Sequence, residues 1–326
     1  MGLFKAPTFT KIIGFDLNIL VSTGSNSNEY KKMLFEEINA QSLDYKLVED
    51  TSRTGEVNAI IYSDDCEISD FSIFPENTII FSTFAGVEKT LLNKTIVQPL
   101  VRLIDVEMTE CMAEWCAAHV LRYHLGLDNY IKPTEKVWTV PNKERLLAKQ
   151  VNIGILGLGT LGSATARKLK KLDFNVAGWS ATKKKLRGVK SLVGREGLNQ
   201  ILSTSDYLIL LLPLTEQTKT IINSESLELV KNGAVLINAG RGGLVEDHDI
   251  LKALDSGKLS ACTLDVFNEE PLPPKHPFWH HDKVTVTPHI SAPTRLKSSV
   301  RSILKNISRI KKGLQPIGLV EKERHY

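Results

Sequence analysis

Residues 151–162 read VNIGILGLGTLG, and the order of their parts decides the fold. Val151 to Leu156 form a short apolar run of the kind that becomes a buried strand. Gly157, Gly159 and Gly162 follow at once, and LGSATARKLKKL then takes up a helical pattern. A G-x-G-x-x-G pattern alone is common by chance. Set between a strand and a helix it has a mechanical meaning: the glycines permit a tight turn and let backbone approach a pyrophosphate, whose charge meets free N–H groups at the helix N-terminus. Thr160 and Leu161 belong to that first helical turn. The segment therefore implies a dinucleotide.

Working outward, the same rhythm continues through FNVAGW, DYLILLL, GAVLINA, LSACTLDVF and KVTVTP. Near-continuous apolar strands separated by helical patterns predict a doubly wound parallel sheet with helices on both faces. Upstream, KIIGFDL, VNAIIYS and NTIIFSTFAG read as strands and NEYKKMLFEEINA as a helix, a smaller α/β unit. The stretch from Asp105 to Asp128 has apolar residues at helical spacing, and an irregular connection runs on through Pro133 and Pro141. The final pattern, LKSSVRSILKNISRIKKG, lines up residues 300, 303, 304, 307 and 310 and predicts a docked amphipathic helix.

A chain of 326 residues is long enough for two cores, and 42% hydrophobic with 24% charged residues is ordinary for a globular protein. A net charge of +4 from 41 basic and 37 acidic residues points to neither nucleic acid nor an anionic membrane. Cys66, Cys111, Cys116 and Cys262 lack metal-ligand spacing and read as reduced thiols. The opening MGLFKAPTFTKIIGFDLNILV has no basic segment leading into a long apolar core, and no apolar stretch reaches the roughly 18 residues of a membrane span. The expectation is a cytoplasmic protein.

The strand NVAGWS, with Trp179, ends at Ser180, where an NAD-preferring site usually carries a carboxylate for the ribose 2′-hydroxyl. SATKKK instead offers Ser180, Thr182 and Lys183 to a 2′-phosphate, which favours NADPH over a merely solvated lysine run, with NADH as the alternative. Three further segments close strands of the same sheet: NAGRGG with Arg241, LDVFNEEPLP with Glu269 and Glu270, and TPHISA with His289. In an open α/β sheet, ligands sit beyond the carboxyl ends of the strands. A lone histidine after a strand is ordinarily a cap; beside Arg241 and Glu270 at one sheet edge it becomes a candidate acid–base group.

GLGTLG, PLTEQT, NAGRGGLVEDHDILKALDSGKL, LDVFNEEPLP and TPHI together resemble the D-isomer-specific 2-hydroxyacid dehydrogenases over most of the chain. PLVRLIDVEMTE, GWS with a basic loop, GVKSLVGRE and the C-terminal tyrosine are most similar to the glyoxylate/hydroxypyruvate reductase A branch. The resemblance implies His289 as acid/base, Glu270 as its carboxylate partner and Arg241 as the grip on substrate. It implies Asp265 on the nicotinamide carboxamide, Pro213 and Thr218 in a loop under the cofactor, and Ala239 among the cofactor contacts. The turn FAGVE would offer the N–H groups of Ala85, Gly86 and Val87 to a substrate carboxylate. Residues 1–104, completed by 294–326, would form a substrate domain of flavodoxin-like fold. Residues 105–293 would form an inserted Rossmann domain, with a dimerisation helix and arm at 105–149. Met108, Met112, Trp115 and Val120 would leave apolar surface for a second copy to cover.

Three positions depart from the branch: Phe84 where glycine is frequent, Tyr62 where tryptophan is usual and Ala181 in place of an arginine. Two other readings stand beside a small 2-keto acid reductase, namely a nucleotide-sensing corepressor of the same fold and a dehydrogenase of a bulkier acid.

Overall fold

The computed structural model describes residues 17–41, 45–48, 52–131 and 144–322. Residues 11–16 of the first expected strand, the connection through Pro133 and Pro141 and the C-terminal Tyr326 lie outside them. The chain divides into two compact α/β units, residues 1–108 with 294–326 and residues 109–293.

In the first unit, strands β1 (Leu17–Ser22), β2 (Tyr45–Val48), β3 (Ala59–Tyr62), β4 (Ile79–Ser82) and β5 (Leu100–Val101) form a parallel sheet of order β2-β1-β3-β4-β5. AIIY of β3 and IIFS of β4 are buried at every position, as a strand covered on both faces must be. Alternation sorts β1 between two cores. Ile19 and Val21 face helices Ser27–Ala40 and Leu296–Lys311, while Leu20 faces Phe71, Phe74 and Val87. Val300, Ile303, Leu304, Ile307 and Ile310 of the last helix are all buried, so the amphipathic stripe docks as its spacing predicts.

The second unit holds β6 (Asn152–Leu156), β7 (Asn175–Trp179), β8 (Lys190–Leu192), β9 (Tyr207–Leu210), β10 (Ala234–Asn238), β11 (Leu259–Leu264) and β12 (Val284–Val286). Their order is β12-β11-β10-β9-β6-β7-β8, with every pair parallel. The order reverses between β6 and β9, and the glycine turn follows β6 directly, so it opens at the switch point where such sheets bind ligands. The helix expected from Asp105 runs Val106–His124, and its Met112, Cys116, Ala117 and Val120 join the core over β6 and β10.

That packing corrects one expectation. Met108, Met112 and Val120 are 5%, 4% and 0% exposed in the single chain, and Trp115 is half-buried against the His119 ring, centroids 4.3 Å apart. Met112 and Val120 spend their apolar surface on that core and Met108 is buried too, so of the four only the half-buried Trp115 keeps part of its surface uncovered.

The turn also dictates where a side chain is forbidden. Gly157 has φ +110°, and a methyl built on Gly162 would overlap the Gly157 carbonyl oxygen, which is backbone and cannot step aside. Gly162→Ala is therefore expected to lower stability by about 1–3 kcal/mol despite alanine's better helix propensity. Chemical denaturation midpoints of the two proteins check this.

Candidate active site

The three glycines meet three different demands. Gly157 takes a left-handed backbone, Gly162 lets the helix Thr160–Lys171 close on the strand, and a methyl at Gly159 would meet no atom within 4 Å. Gly159 and Thr160 are exposed, so the free N–H groups of the first helical turn face an open cradle. These features fit a dinucleotide pyrophosphate.

Beyond β10, the backbone of Arg241 is fixed by a wholly buried asparagine. Asn238 donates through Nδ2 to the Arg241 carbonyl at 2.9 Å and accepts through Oδ1 from the Gly240 N–H at 3.1 Å. The guanidinium Nη1 donates to the Gly240 carbonyl at 2.7 Å. A methyl on Gly242 would overlap the backbone of Phe267 and Asn268, so this loop lies directly against the one that carries Glu270.

Glu270 is held at both oxygens. Oε1 accepts from the Phe267 N–H at 2.9 Å, and Oε2 meets His289 Nδ1 at 2.8 Å. The imidazole is 54% exposed at its side chain, so with Nδ1 engaged the outward-facing ring nitrogen is Nε2. His289 has φ +53°, a left-handed conformation uncommon outside glycine. The backbone there is tied down by Asp265, which is 0% exposed at the end of β11. Asp265 Oδ1 accepts from the Thr287 hydroxyl at 2.6 Å and the Ile290 N–H at 2.9 Å, and Oδ2 accepts from the Ser291 N–H at 2.9 Å. Arg241, Glu270 and His289 thus stand at the carboxyl ends of three adjacent strands, β10, β11 and β12.

Residues 118–291 match the family model described as D-isomer specific 2-hydroxyacid dehydrogenase, NAD binding domain. The chain belongs to the D-isomer specific 2-hydroxyacid dehydrogenases. A solved structure of such a dehydrogenase from Xanthobacter autotrophicus, in complex with NADPH and MES, is 30% identical over 96% of this chain and 100% of its own, with a TM-score of 0.86. The NADPH-dependent glyoxylate/hydroxypyruvate reductase of Sinorhizobium meliloti, in complex with NADP and sulfate, is 31% identical over 95% of this chain and all of its own, with a TM-score of 0.83. A probable 2-hydroxyacid dehydrogenase of Rhizobium etli, in complex with NADP, HEPES and L(+)-tartaric acid, is 28% identical at 96% and 100% coverage, TM-score 0.82.

In this dehydrogenase the basic loop is held by a turn of its own. Ser180 is 8% exposed and its hydroxyl donates to the Thr182 carbonyl at 2.8 Å, so its proton serves the turn. Thr182, Lys183, Lys184 and Lys185 are exposed and are the groups that face solvent. Trp179 donates through its indole N–H to the Gly194 carbonyl at 2.8 Å, which secures the end of β7. In the neighbouring loop the Thr218 hydroxyl donates to the Pro213 carbonyl at 2.6 Å and accepts from the Thr215 N–H at 2.8 Å. Ala239, 6% exposed, closes β10 in front of Arg241.

In the first unit, Ala85 and Gly86 are half-buried and Val87 is buried, while Phe84 turns outward at 42% exposure. Tyr62 packs edge-on against Phe71 at 5.4 Å, and its hydroxyl donates to Asp64, which also accepts from Thr90 just after the turn. Asn238, Thr287 and Asp64 were missed by sequence reasoning. Asn238 had a signal, a lone polar side chain ending an otherwise apolar strand, but Thr287 and Asp64 show their partners only once the sheets are paired.

A second polar cluster lies against β11. Tyr123 and Thr263 share a hydrogen bond of 2.6 Å, and His119 Nδ1 is 3.5 Å from the same hydroxyl. Burial and then the nearby Arg122 lower the His119 pKa from 6.5 to about 4. The depressed value means that, between pH 6.5 and about 4, the unfolded chain binds a proton here that the folded chain refuses. This group's contribution is therefore present above pH 6.5 and lost as the pH falls through that window. His119→Gln is expected to lose less stability over the same range, a difference that denaturant melts at a series of pH values will read.

Proposed function

We propose that this dehydrogenase reduces a small 2-keto acid, glyoxylate or hydroxypyruvate, to the 2-hydroxy acid with NADPH, His289 giving the proton. The observation that carries the reading is the 2.8 Å pair of His289 Nδ1 and Glu270 Oε2 at the carboxyl edge of the sheet that also bears the glycine turn. Bound NADPH supplies the hydride to the carbonyl carbon. Negative charge then grows on the carbonyl oxygen, and His289 Nε2 delivers a proton to it while Glu270 holds the ring by Nδ1. Arg241 carries a permanent planar charge suited to the substrate carboxylate and the adjacent carbonyl, and the family resemblance assigns the N–H groups of Ala85, Gly86 and Val87 to the same carboxylate.

Support for NADPH comes from the exposed Thr182 and Lys183–Lys185 at the end of β7, and from the NADPH and NADP in the complexes of similar proteins. The pyrophosphate falls to Gly157, Gly159, Thr160, Leu161 and Gly162. Asp265, Pro213, Thr218 and Ala239 stand toward the nicotinamide end. We also propose a homodimer in the cytosol. Leu127, Tyr130, Leu146 and Leu147, at 41–59% exposure, leave apolar side chains in the 105–149 segment for a second copy. Among the described residues no helix is long and apolar enough to cross a membrane, and the four cysteines are unpaired.

Steady-state reduction of glyoxylate and hydroxypyruvate with each cofactor tests the assignment. His289→Ala is expected to lower kcat by about a hundredfold or more while NADPH binding persists, since a proton donor matters only as charge builds in the transition state. Turnover at the unmodified rate would refute the mechanism. Lys183→Glu is expected to raise the KM for NADPH about tenfold, the value of one charge-assisted hydrogen bond, and to leave the KM for NADH within about twofold. Equal effects on the two cofactors would remove Lys183 from the phosphate site.

A further inference from the structure

We infer that Asp64 is a positioning residue: through the Thr90 hydroxyl it holds the turn of Ala85, Gly86 and Val87 in the shape that receives the substrate carboxylate. The inference rests on the proposed assignment of those three N–H groups to that carboxylate.

The turn is open in its middle and held at its two ends. Tyr62 and Ser82 close β3 and β4 as partners in one register, so the loops that follow leave the sheet together. At the entry, the Phe84 N–H donates to the Ser82 hydroxyl at 3.1 Å, and the Phe84 carbonyl accepts from the Leu103 N–H at 2.9 Å. At the exit, the Val87 carbonyl accepts from the Leu91 N–H at 3.0 Å. Between these points the N–H groups of Ala85, Gly86 and Val87 donate to no group among the described residues. Successive backbone N–H groups that the fold itself does not use suit an anion, provided the chain on either side keeps its shape.

Asp64 supplies the hold at the exit. Thr90 is 1% exposed, and its hydroxyl donates to Asp64 Oδ1 at 2.8 Å. The Tyr62 hydroxyl donates to the same oxygen at 3.2 Å. Burial and then the charge of Asp64 hold that phenol above its usual pKa of 10, so it stays a donor through neutral pH. One carboxylate oxygen therefore ties the end of β3 to the first residue of the short turn Thr90–Leu92, just after Val87. Asp64 itself is exposed, so its side chain fills no core, and its bonds act on the shape of the chain around the turn. Without the carboxylate, the buried Thr90 hydroxyl loses this acceptor and the segment is released to seek another.

The test compares Thr90→Val, Thr90→Ser and Asp64→Ala with the unmodified full-length protein. At saturating NADPH it measures kcat and KM for glyoxylate and for methyl glyoxylate, in which the carboxylate is capped, and it reads NADPH dissociation constants by fluorescence titration. A grip on the carboxylate acts in the ground state and the transition state alike, so its loss appears in KM. Thr90→Val and Asp64→Ala remove the same bond from its two ends. Each is expected to raise the KM for glyoxylate about tenfold, the effect of one hydrogen bond to a charged group, with kcat and NADPH affinity within about twofold. The KM for the ester should stay within about twofold, and Thr90→Ser, which keeps the donor, should return the KM for glyoxylate to the same margin. The inference is overturned if either bond-breaking variant keeps the KM for glyoxylate, if Thr90→Ser is as impaired as Thr90→Val, or if acid and ester are weakened equally. Should one bond-breaking variant fail to fold, the other decides. Equal KM values for acid and ester in the unmodified protein would sink carboxylate recognition itself. A preference for the acid that Thr90→Val and Asp64→Ala leave untouched would sink positioning alone.

Discussion

A carboxylate with no exposed surface governs how β12 ends. Asp265 lies one residue beyond β11, and it meets the chain after β12 because the two strands pair in one register, Cys262 with Val284, Thr263 with Thr285 and Leu264 with Val286. A slip of one residue would turn every side chain of β12 to the opposite face and carry the Thr287 hydroxyl away from the carboxylate. The apolar residues that fix the register, Leu264 buried and Val284 and Val286 packed on the same core, therefore set a polar contact that none of them makes. Burial sharpens the constraint, since an unpaired buried carboxylate is costly and each of its donors must arrive together.

Much of this architecture was legible in the residues. The strand–glycine–helix order at 151–162, the apolar runs that became β9, β10 and β11, and the stripe through Val300, Ile303, Leu304, Ile307 and Ile310 all carried their period openly. What was not legible had little period to show. The short β5, Leu100–Val101, and β8, Lys190–Leu192, are two and three residues long, and β2, YKLV, has no fully buried position. Such strands exist because a neighbouring strand offers a ladder, which is information from elsewhere in the chain.

Two sets of partners were not legible, for one cause. Ser180 was legible as a hydroxyl at the right place, but where its proton goes depends on the Thr182 carbonyl two residues on. Met112 and Val120 were legible as part of an apolar stripe, but a stripe does not say which surface covers it, and here the cover is the core over β6 and β10. Residue type and spacing announce that a group must be satisfied; the fold chooses the partner.

The same division explains why His289 is not a glycine. A left-handed turn is most cheaply made by glycine, and Gly157 and Gly194 take that course at φ +110° and +68°. On the proposed reading of His289 as proton donor the imidazole is what the site needs, and the backbone conformation carries a penalty of about 1–3 kcal/mol that the surrounding hydrogen bonds must offset. Each of the bonds from Thr287, Ile290 and Ser291 to Asp265 contributes on the order of 1 kcal/mol net, so the three together match the upper end of that penalty. Three donors gathered on one buried carboxylate are enough to meet it.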